Sequence, residues 1–237
     1  MCTVTYIPTL DGFYFTSSRD EKASRATIPP MKHRIDGIDL IYPKDEIAGG
    51  TWIAAGYNGR TACLLNGAFH NHVKQKSYRR SRGLILLESF KHKSMYEFSN
   101  VVNLNGVEPF TIISLIHLPG ITSEFTEFRW DGTSKHLRQL DIRKSQIWSS
   151  ATLYNSKIQL QRTALFEDWI KKFKDVNGRN ILAFHSTKHG LNVSHDIIMK
   201  GEDDLMTLSI SQLHFNNGNV VFKYYDILND KAYVTGL

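Results

Sequence analysis

The chain begins with MCTVTYIPTLDGFYFTSSRDE, residues 1–21, and this stretch predicts the first element of the fold. Polar and apolar residues alternate over 3–7 and again over 13–17, which is the period of a half-buried strand. Asp11-Gly12 stands between the two runs and is a frequent hairpin turn. We therefore expect an antiparallel hairpin that can hold the N-terminus in a fixed position.

Strand signals continue along most of the chain. Asn58-Gly59 predicts a second hairpin, with strands over 51–57 and 60–66. Pro29, Pro30 and Pro43 predict a loop over 23–46. Helices are predicted within 81–102 and, from the spacing of its apolar residues, over 156–174. Further strands are predicted over 110–118, 124–130, 135–141, 180–184, 205–215 and 220–226.

The length allows one sizeable domain or two small ones, and since no repeat, low-complexity tract or linker divides the sequence, we expect one globular domain over residues 1–237. The chain has 41% hydrophobic and 22% charged residues, which suffices for a full core. No apolar run approaches ~20 residues and no secretory signal is present, so we expect a cytoplasmic protein without a transmembrane segment. Seven cations in one window could meet nucleic acid, an anionic membrane face or an acidic ligand. No nucleic-acid module surrounds them, and a solvated loop is the favoured interpretation. They are Lys74, Lys76, Arg79, Arg80, Arg82, Lys91 and Lys93.

Cys2 becomes the first residue of the chain if Met1 is removed. A terminal cysteine carries a thiol and a free α-amine, and an α-amine titrates near pH ~8. Such an amine can act as the general base for its own thiol without a histidine. The alternative is that Cys2 is an ordinary second residue. The other cysteine, Cys63, lies in an apolar run and is predicted to be a core residue.

Several short motifs together resemble the NRDE family, the family of transport and Golgi organisation protein 2. The family signature Asn-Arg-Asp-Glu corresponds here to Ser18-Arg19-Asp20-Glu21, so this chain has serine where the signature begins with asparagine. A Gly49-Gly50-Thr51-Trp52 strand follows the signature, as in the family. Further matches are Glu108-Pro109-Phe110, Arg129-Trp130-Asp131-Gly132 and 147–154. The resemblance spans nearly the whole chain.

Through this family the chain is also similar to N-terminal nucleophile (Ntn) hydrolases of the penicillin V acylase and bile-salt hydrolase group. The resemblance implies an α+β fold, a four-layer αββα sandwich of two antiparallel sheets flanked by helices. It implies that Cys2 is the nucleophile and that Arg19 stabilises its thiolate. Asp20 would orient the α-amine, and Asn66 would help form the oxyanion hole. Each role is physically reasonable, since a nearby cation enriches thiolate and an amide can donate to an oxyanion.

Other positions leave alternatives open. Arg19 and Asp20 are adjacent, and adjacent side chains of a strand point to opposite faces, so one of the two could be structural. A second oxyanion asparagine is not identified. Ser150, Thr152 and Asn155 are near its expected place, and Trp52, Ser150 and Thr152 are the candidate substrate-binding residues. His185 and His189 are predicted between strands without acidic ligands, so we expect no metal and no cofactor.

The sequence supports two functions, which belong to different classes of protein. The first is a cysteine amidohydrolase that cleaves a small non-peptide amide or related acyl compound through Cys2. The second is a non-catalytic protein of the same fold whose pocket binds or carries a hydrophobic ligand such as a lipid, acyl-CoA or haem. Either function predicts a small-molecule partner, while the oligomeric state is left open.

Overall fold

The structure, a computed structural model, describes residues 3–117 and 124–236. Its strands are β1 Thr3–Thr9, β2 Gly12–Lys22, β3 Thr27–Ile35, β4 Ile38–Asp45, β5 Ile53–Gly56, β6 Arg60–Asn66, β7 Phe110–Ile116, β8 Glu124–Trp130, β9 Lys135–Gln139, β10 Gln146–Ser149, β11 Leu205–Asn216, β12 Asn219–Asp226 and β13 Lys231–Gly236. Its helices are α1 Arg82–Ser89, α2 Met95–Val101, α3 Ser156–Ile170 and α4 Gly178–Ser186.

The strands form two antiparallel sheets. The first sheet has six strands in the order β10-β1-β2-β11-β12-β13, and the second has seven, β3 to β9, in consecutive order. Aromatic and branched side chains of both sheets interleave between them, among them Phe15, Trp52 and Leu213. Helices α1 and α2 cover the outer face of the second sheet, and α3 and α4 cover that of the first. The predicted four-layer αββα sandwich is therefore confirmed.

The side chains of β2 alternate between the two faces of the first sheet. Phe13 and Phe15 enter the core between the sheets, whereas Tyr14 packs among the residues under α3 and α4. The opening hairpin is confirmed, with Thr3 paired to Ser18. On its other side β2 pairs with β11, where a bulge between Thr207 and Ser209 interrupts the register.

The predicted loop over 23–46 is wrong, because two strands occupy most of it. β3 is an edge strand, and its register with β4 shifts across Pro29 and Pro30. These prolines lack an N–H group, but because they lie in the register shift they interrupt no hydrogen bond between the two strands. Pro43 lies beyond the two residues at which β4 pairs with β5. The turn between β3 and β4 is Asp36-Gly37, both at positive φ.

The predicted strand over 180–184 is also wrong, since this stretch belongs to helix α4. Asn177 caps the helix, and its side chain accepts hydrogen bonds from the backbone N–H groups of Arg179 and Asn180. Ile181, Phe184 and His185 are the buried residues of the helix, at the three- and four-residue spacing of a helical face. His185 is therefore a buried helical residue and not a loop residue. The helices predicted over 81–102 and 156–174 are present, the first divided into α1 and α2 and the second ending at Ile170.

Candidate functional site

A close contact between two backbone segments builds one wall of the site. A Cβ atom added to Gly50 would lie 2.5 Å from the carbonyl carbon of Gly83, and one added to Gly83 would lie 2.7 Å from the Thr51 oxygen. Only glycine permits this approach of α1 to the segment before β5. The contact explains why position 50, directly before Thr51 and Trp52, is a glycine.

A cavity of about 340 Å³ opens beside this contact. Among the sequence-predicted residues, Arg19, Trp52 and Asn66 line it. The remaining lining residues come from β2 and the turn after it, the β4–β5 region, β6, the segment that leads into and begins α1, and the segment before β7. They are Glu21, Arg25, Asp45, Ala48, Gly50, Thr51, Leu64, Tyr78, Arg80, Ser81, Arg82, Gly83 and Glu108.

Arg19 is held firmly in the wall of this cavity. Its side chain is 3% exposed, and Nη2 donates to Asp45 Oδ2 at 3.0 Å. Its guanidinium carbon lies 4.7 Å from the centroid of the Trp52 ring, which is a cation–π contact. Nη1 donates to the carbonyl oxygen of Arg25 at 3.3 Å. These contacts fix the position of the charge at the end of β2.

Asp45 and Arg25 are site residues that the sequence did not reveal. Arg25 donates to Asp45 Oδ2 at 2.7 Å and to Glu21 Oε2 at 3.1 Å. Burial alone would raise the pKa of Asp45, but the Ala48 N–H and the guanidinium groups of Arg25 and Arg19 outweigh it, so the pKa is lowered. Asp45 therefore stays ionised and is shared by two arginines. Asp45 and Arg25 fall within the segment predicted as a loop, where no motif marked them.

Asp20 lies on the opposite face of β2 from Arg19, as the alternation of a strand requires. Its carboxylate accepts a hydrogen bond from Tyr154 Oη at 3.2 Å and one from Thr207 Oγ1 at 2.7 Å. Asp20 is 3% exposed. The two charged residues of the signature thus point in different directions, Arg19 towards the cavity and Asp20 towards the helices.

Asn66 ends β6, and its backbone is fixed by the segment after β10. Its carbonyl oxygen accepts from the Ala151 N–H at 3.1 Å and from Ser150 Oγ at 2.9 Å. The hydroxyls of Ser150 and Thr152 are 2.8 Å apart. Gly67 follows at φ +81°, with Thr152 atoms 3.1 Å from where a Cβ would stand. Ser150 and Thr152 thus support Asn66, while the side chain of Asn66 makes no hydrogen bond to the residues that the structure describes.

Three other residues were singled out in the sequence: Asn155, Cys2 and Cys63. Asn155, a candidate for the second oxyanion donor, caps α3 by accepting from the Ile158 N–H at 3.0 Å. Cys2 lies outside the described residues. Cys63 is fully buried in the core between the sheets, as predicted. Burial raises the pKa of its thiol to about 12, although the nearby Ser17 hydroxyl opposes the shift.

The basic segment is partly exposed and partly built into the cavity. Lys74, Lys76 and Arg79 are exposed. Arg82 pairs with Glu108 at 3.0 Å, and both residues line the cavity. The predicted solvated loop therefore holds only for the outer part of this segment, since Arg80 and Arg82 line the cavity.

A larger groove of about 1000 Å³ lies at the other end of the first hairpin, around the Asp11-Gly12 turn. It is remote from Thr3, which begins β1 at the opposite end of the hairpin. Within residues 3–117 and 124–236, no group of three His, Cys, Asp or Glu side chains is placed to hold a metal ion. No helix in the same part of the chain is long and apolar enough to cross a membrane.

Comparison with solved structures defines the class of fold. Similar structures include a variant of the conjugated bile acid hydrolase from Clostridium perfringens, with 9% identity, a TM-score of 0.60, and coverage of 100% of this chain and 92% of that chain. The penicillin V acylase from Agrobacterium tumefaciens has 11% identity and a TM-score of 0.50, covering 100% of this chain and 86% of that chain. The Caenorhabditis elegans ortholog of N-acylethanolamine-hydrolyzing acid amidase has 12% identity and a TM-score of 0.50, with 90% and 92% coverage. The chain has the fold of the Ntn hydrolases.

The sequence identifies the family within that class. The family described as Transport and Golgi organisation 2 matches residues 1–210, and the chain belongs to it. The predicted membership of the NRDE family is therefore confirmed. No curated protein matches the chain by sequence.

Proposed function

We propose that the chain is a cysteine Ntn amidohydrolase that cleaves a small non-peptide amide through Cys2 after removal of Met1. One observation carries the proposal. Arg19, Trp52 and Asn66 line one cavity, and Arg19 follows Ser18, the residue paired with Thr3 at the start of β1. Cys2 directly precedes Thr3 in the chain, and we propose that its thiol acts next to Arg19. A cation there favours the thiolate, the reactive form of cysteine.

The proposed reaction uses the α-amine of Cys2 as base and then as acid. The amine takes the thiol proton while Sγ bonds to the carbonyl carbon of the substrate. The C–N bond then breaks, and the proton passes to the leaving nitrogen, which leaves a thioester on Cys2. Water attacks the thioester, the amine takes its proton and returns it to Sγ, and a carboxylic acid leaves.

The surrounding residues supply what this reaction requires. Asn66 has a fixed backbone and a side-chain amide that can donate to the oxyanion, an interaction worth ~3 kcal/mol in comparable enzymes. Trp52 lines the cavity and is 3% exposed, and its Nε1 has no acceptor among the described residues. It is therefore a candidate donor to a polar atom of the substrate. Asp20 is proposed to orient the α-amine from the other face of β2.

Mass spectrometry tests this proposal directly. Intact-mass measurement is expected to show a chain without Met1. Iodoacetamide is expected to modify Cys2 at about pH 7 at least tenfold faster than a synthetic peptide of residues 2–10, because a thiol pKa lowered by one unit enriches thiolate about tenfold. Retained Met1, or alkylation no faster than that of the peptide, would contradict the proposal.

Two arginine variants separate the role of Arg19 from that of its cluster. Arg19→Ala is expected to slow alkylation of Cys2 about tenfold at pH ~7. Arg25→Ala is the matched control, since Arg25 also pairs with Asp45. We expect it to change the rate less than about twofold. An equal effect of both variants would assign the loss to the Asp45 cluster and not to a direct interaction with the thiolate.

A second candidate function is binding of a hydrophobic or acyl-bearing ligand without catalysis. The observation that favours it is the geometry of Arg19, whose guanidinium pairs with Asp45 and stacks on Trp52 as part of a fixed wall. Native mass spectrometry of the purified chain distinguishes the two functions. A retained small molecule that Trp52→Ala releases, together with unreactive Cys2, would support binding alone.

A further inference from the structure

The loop between β6 and α1, residues 67–81, carries most of the net charge of the chain. It contains four cations and no acidic residue, whereas the formal net charge of the whole chain is +6. The four cations are Lys74, Lys76, Arg79 and Arg80. An excess of one sign on a single surface segment attracts a partner surface of the opposite sign.

Residues 73–77 form the exposed tip of this loop. Val73 is 93% exposed, so its side chain packs against almost nothing in the fold. In the part of the chain that the structure describes, no carboxylate pairs with Lys74 or Lys76. The tip therefore presents an unburied apolar side chain next to two positive charges that no acid compensates.

The loop is held on both sides of its tip. Before the tip, His72 Nε2 lies 3.1 Å from Glu108 Oε1. After the tip, the guanidinium of Arg79 donates to the carbonyl oxygens of Asn103 at 2.6 Å and Asn105 at 2.9 Å. These two acceptors are neutral, so the exposed Arg79 adds a third uncompensated charge. Because the tip is ordered in advance, docking through it loses little conformational entropy.

We propose that the tip of this loop docks on an anionic lipid bilayer, with Val73 entering the interface and its neighbouring cations contacting the lipid headgroups. Positive charge alone would suit a nucleic acid equally well. The exposed valine favours a bilayer, because its burial requires apolar material beneath a layer of anionic groups. Tyr78 and Arg80 of the same loop line the cavity of the candidate site, so docking brings that cavity close to the lipid.

Sedimentation with lipid vesicles tests the proposal on the full-length chain. The probes are vesicles of phosphatidylcholine alone and vesicles that also contain about 30% phosphatidylserine. Half of the protein is expected to sediment at ~1 mM lipid of the anionic mixture. The neutral vesicles should require at least about tenfold more lipid, since each Lys or Arg near an anionic surface raises affinity about fivefold. Sodium chloride at about 0.5 M is expected to remove most of this difference by screening.

A double lysine variant tests the contribution of charge. Lys74→Gln combined with Lys76→Gln is expected to weaken binding to the anionic vesicles about 25-fold, fivefold for each charge. Lys172→Gln combined with Lys174→Gln is the matched control, because it removes two exposed lysines at the same spacing from the segment after α3. We expect this control to change binding less than about twofold.

A second pair of variants tests the contribution of the apolar side chain. Val73→Ser is expected to weaken binding about fivefold, because the interface buries much of the valine side chain. Leu10→Ser is the matched control, since Leu10 is fully exposed at the turn of the first hairpin. It should bind as wild type. All the replaced side chains are exposed, and unchanged circular dichroism is expected to show that every variant folds.

Four outcomes would overturn the proposal. The first is equal sedimentation with both kinds of vesicle, or none with either at ~10 mM lipid. The second is an equal loss of binding in the two double lysine variants, which would assign binding to overall charge. The third is a Val73→Ser variant that binds as wild type. The fourth is tighter binding to a single-stranded RNA of ~20 nucleotides than to the anionic vesicles, with the same dependence on Lys74 and Lys76, which would assign the tip to nucleic acid. None of these results bears on the reactivity of Cys2, so this inference and the proposed function fail separately.

Discussion

Replacing His185 by glutamine is expected to remove much of the acid sensitivity of the fold. The imidazole ring is fully buried, with Nε2 2.8 Å from Thr5 Oγ1 and Nδ1 2.8 Å from Ser18 Oγ. It therefore joins α4 to β1 and β2. Burial, followed by the charge of Arg162, lowers the pKa of His185 from 6.5 to about 3.

The size and sign of the effect follow from proton linkage. Between pH 6.5 and about 3, the unfolded chain binds a proton at His185 and the folded chain does not. The contribution of His185 to the free energy of unfolding is therefore fully present above pH ~6.5. Below that pH, the free energy of unfolding falls by ~1.4 kcal/mol for each unit of pH. His185 alone should cost about 2 kcal/mol of stability between pH ~7 and pH ~5.

Urea unfolding of wild type and His185→Gln at pH ~7 and pH ~5 measures this effect. At pH ~7 the variant is expected to be less stable by about 1–3 kcal/mol, because a buried hydroxyl loses its partner. Glutamine does not titrate, so the difference between the two proteins should shrink by about 2 kcal/mol at pH ~5. His70→Gln, at an exposed position, is the matched control and should behave as wild type. An equal loss of stability on acidification in wild type and His185→Gln would refute this explanation.

Two further predictions concern the walls of the cavity. Gly83→Ala is expected to destabilise the fold by about 1–3 kcal/mol in urea, because its Cβ would overlap the backbone of Thr51. Gly236→Ala, where the nearest atom is 3.5 Å away, is its control and should change stability by less than ~0.5 kcal/mol, and equal losses would contradict the overlap. Asp45→Asn is expected to lose less stability than wild type when the pH falls below ~4. The reason is that the lowered pKa of Asp45 contributes stability that is present above its ordinary pKa and is lost as the pH falls. Unfolding curves between about pH 5 and 3 that match wild type in shape would contradict this role.

Local patterns in the sequence were enough to predict most strands, whereas the four-layer sandwich was predicted from the family resemblance. The alternation on either side of Asp11-Gly12 gave the first hairpin, because a strand with one face in the core must repeat every two residues. The turn at Asn217-Gly218 needs two residues at positive φ, which asparagine and glycine adopt at low cost. The loop predicted over 23–46 from its prolines was wrong, because edge strands and register shifts tolerate proline.

The sequence predicted only some of the residues of the candidate site. The motifs led to Arg19, Trp52 and Asn66, which share one cavity. Nothing local marked Asp45 as the partner of Arg19, because the two residues meet only when the second sheet packs against the first. The position of α1 likewise depends on the contact between Gly50 and Gly83, which lie on separate elements.

The sequence by itself determined the strand periodicity, the main turns, the family motifs and a cysteine at position 2. Only the tertiary structure decided which partners Arg19 and Asp20 meet on the two faces of β2, and that Arg162 and His185 lie buried close to the start of β1. The physical reason is sequence separation. Thr207 donates to Asp20 across 187 residues, and a contact of that kind arises from the pairing of β11 with β2 and not from any local pattern.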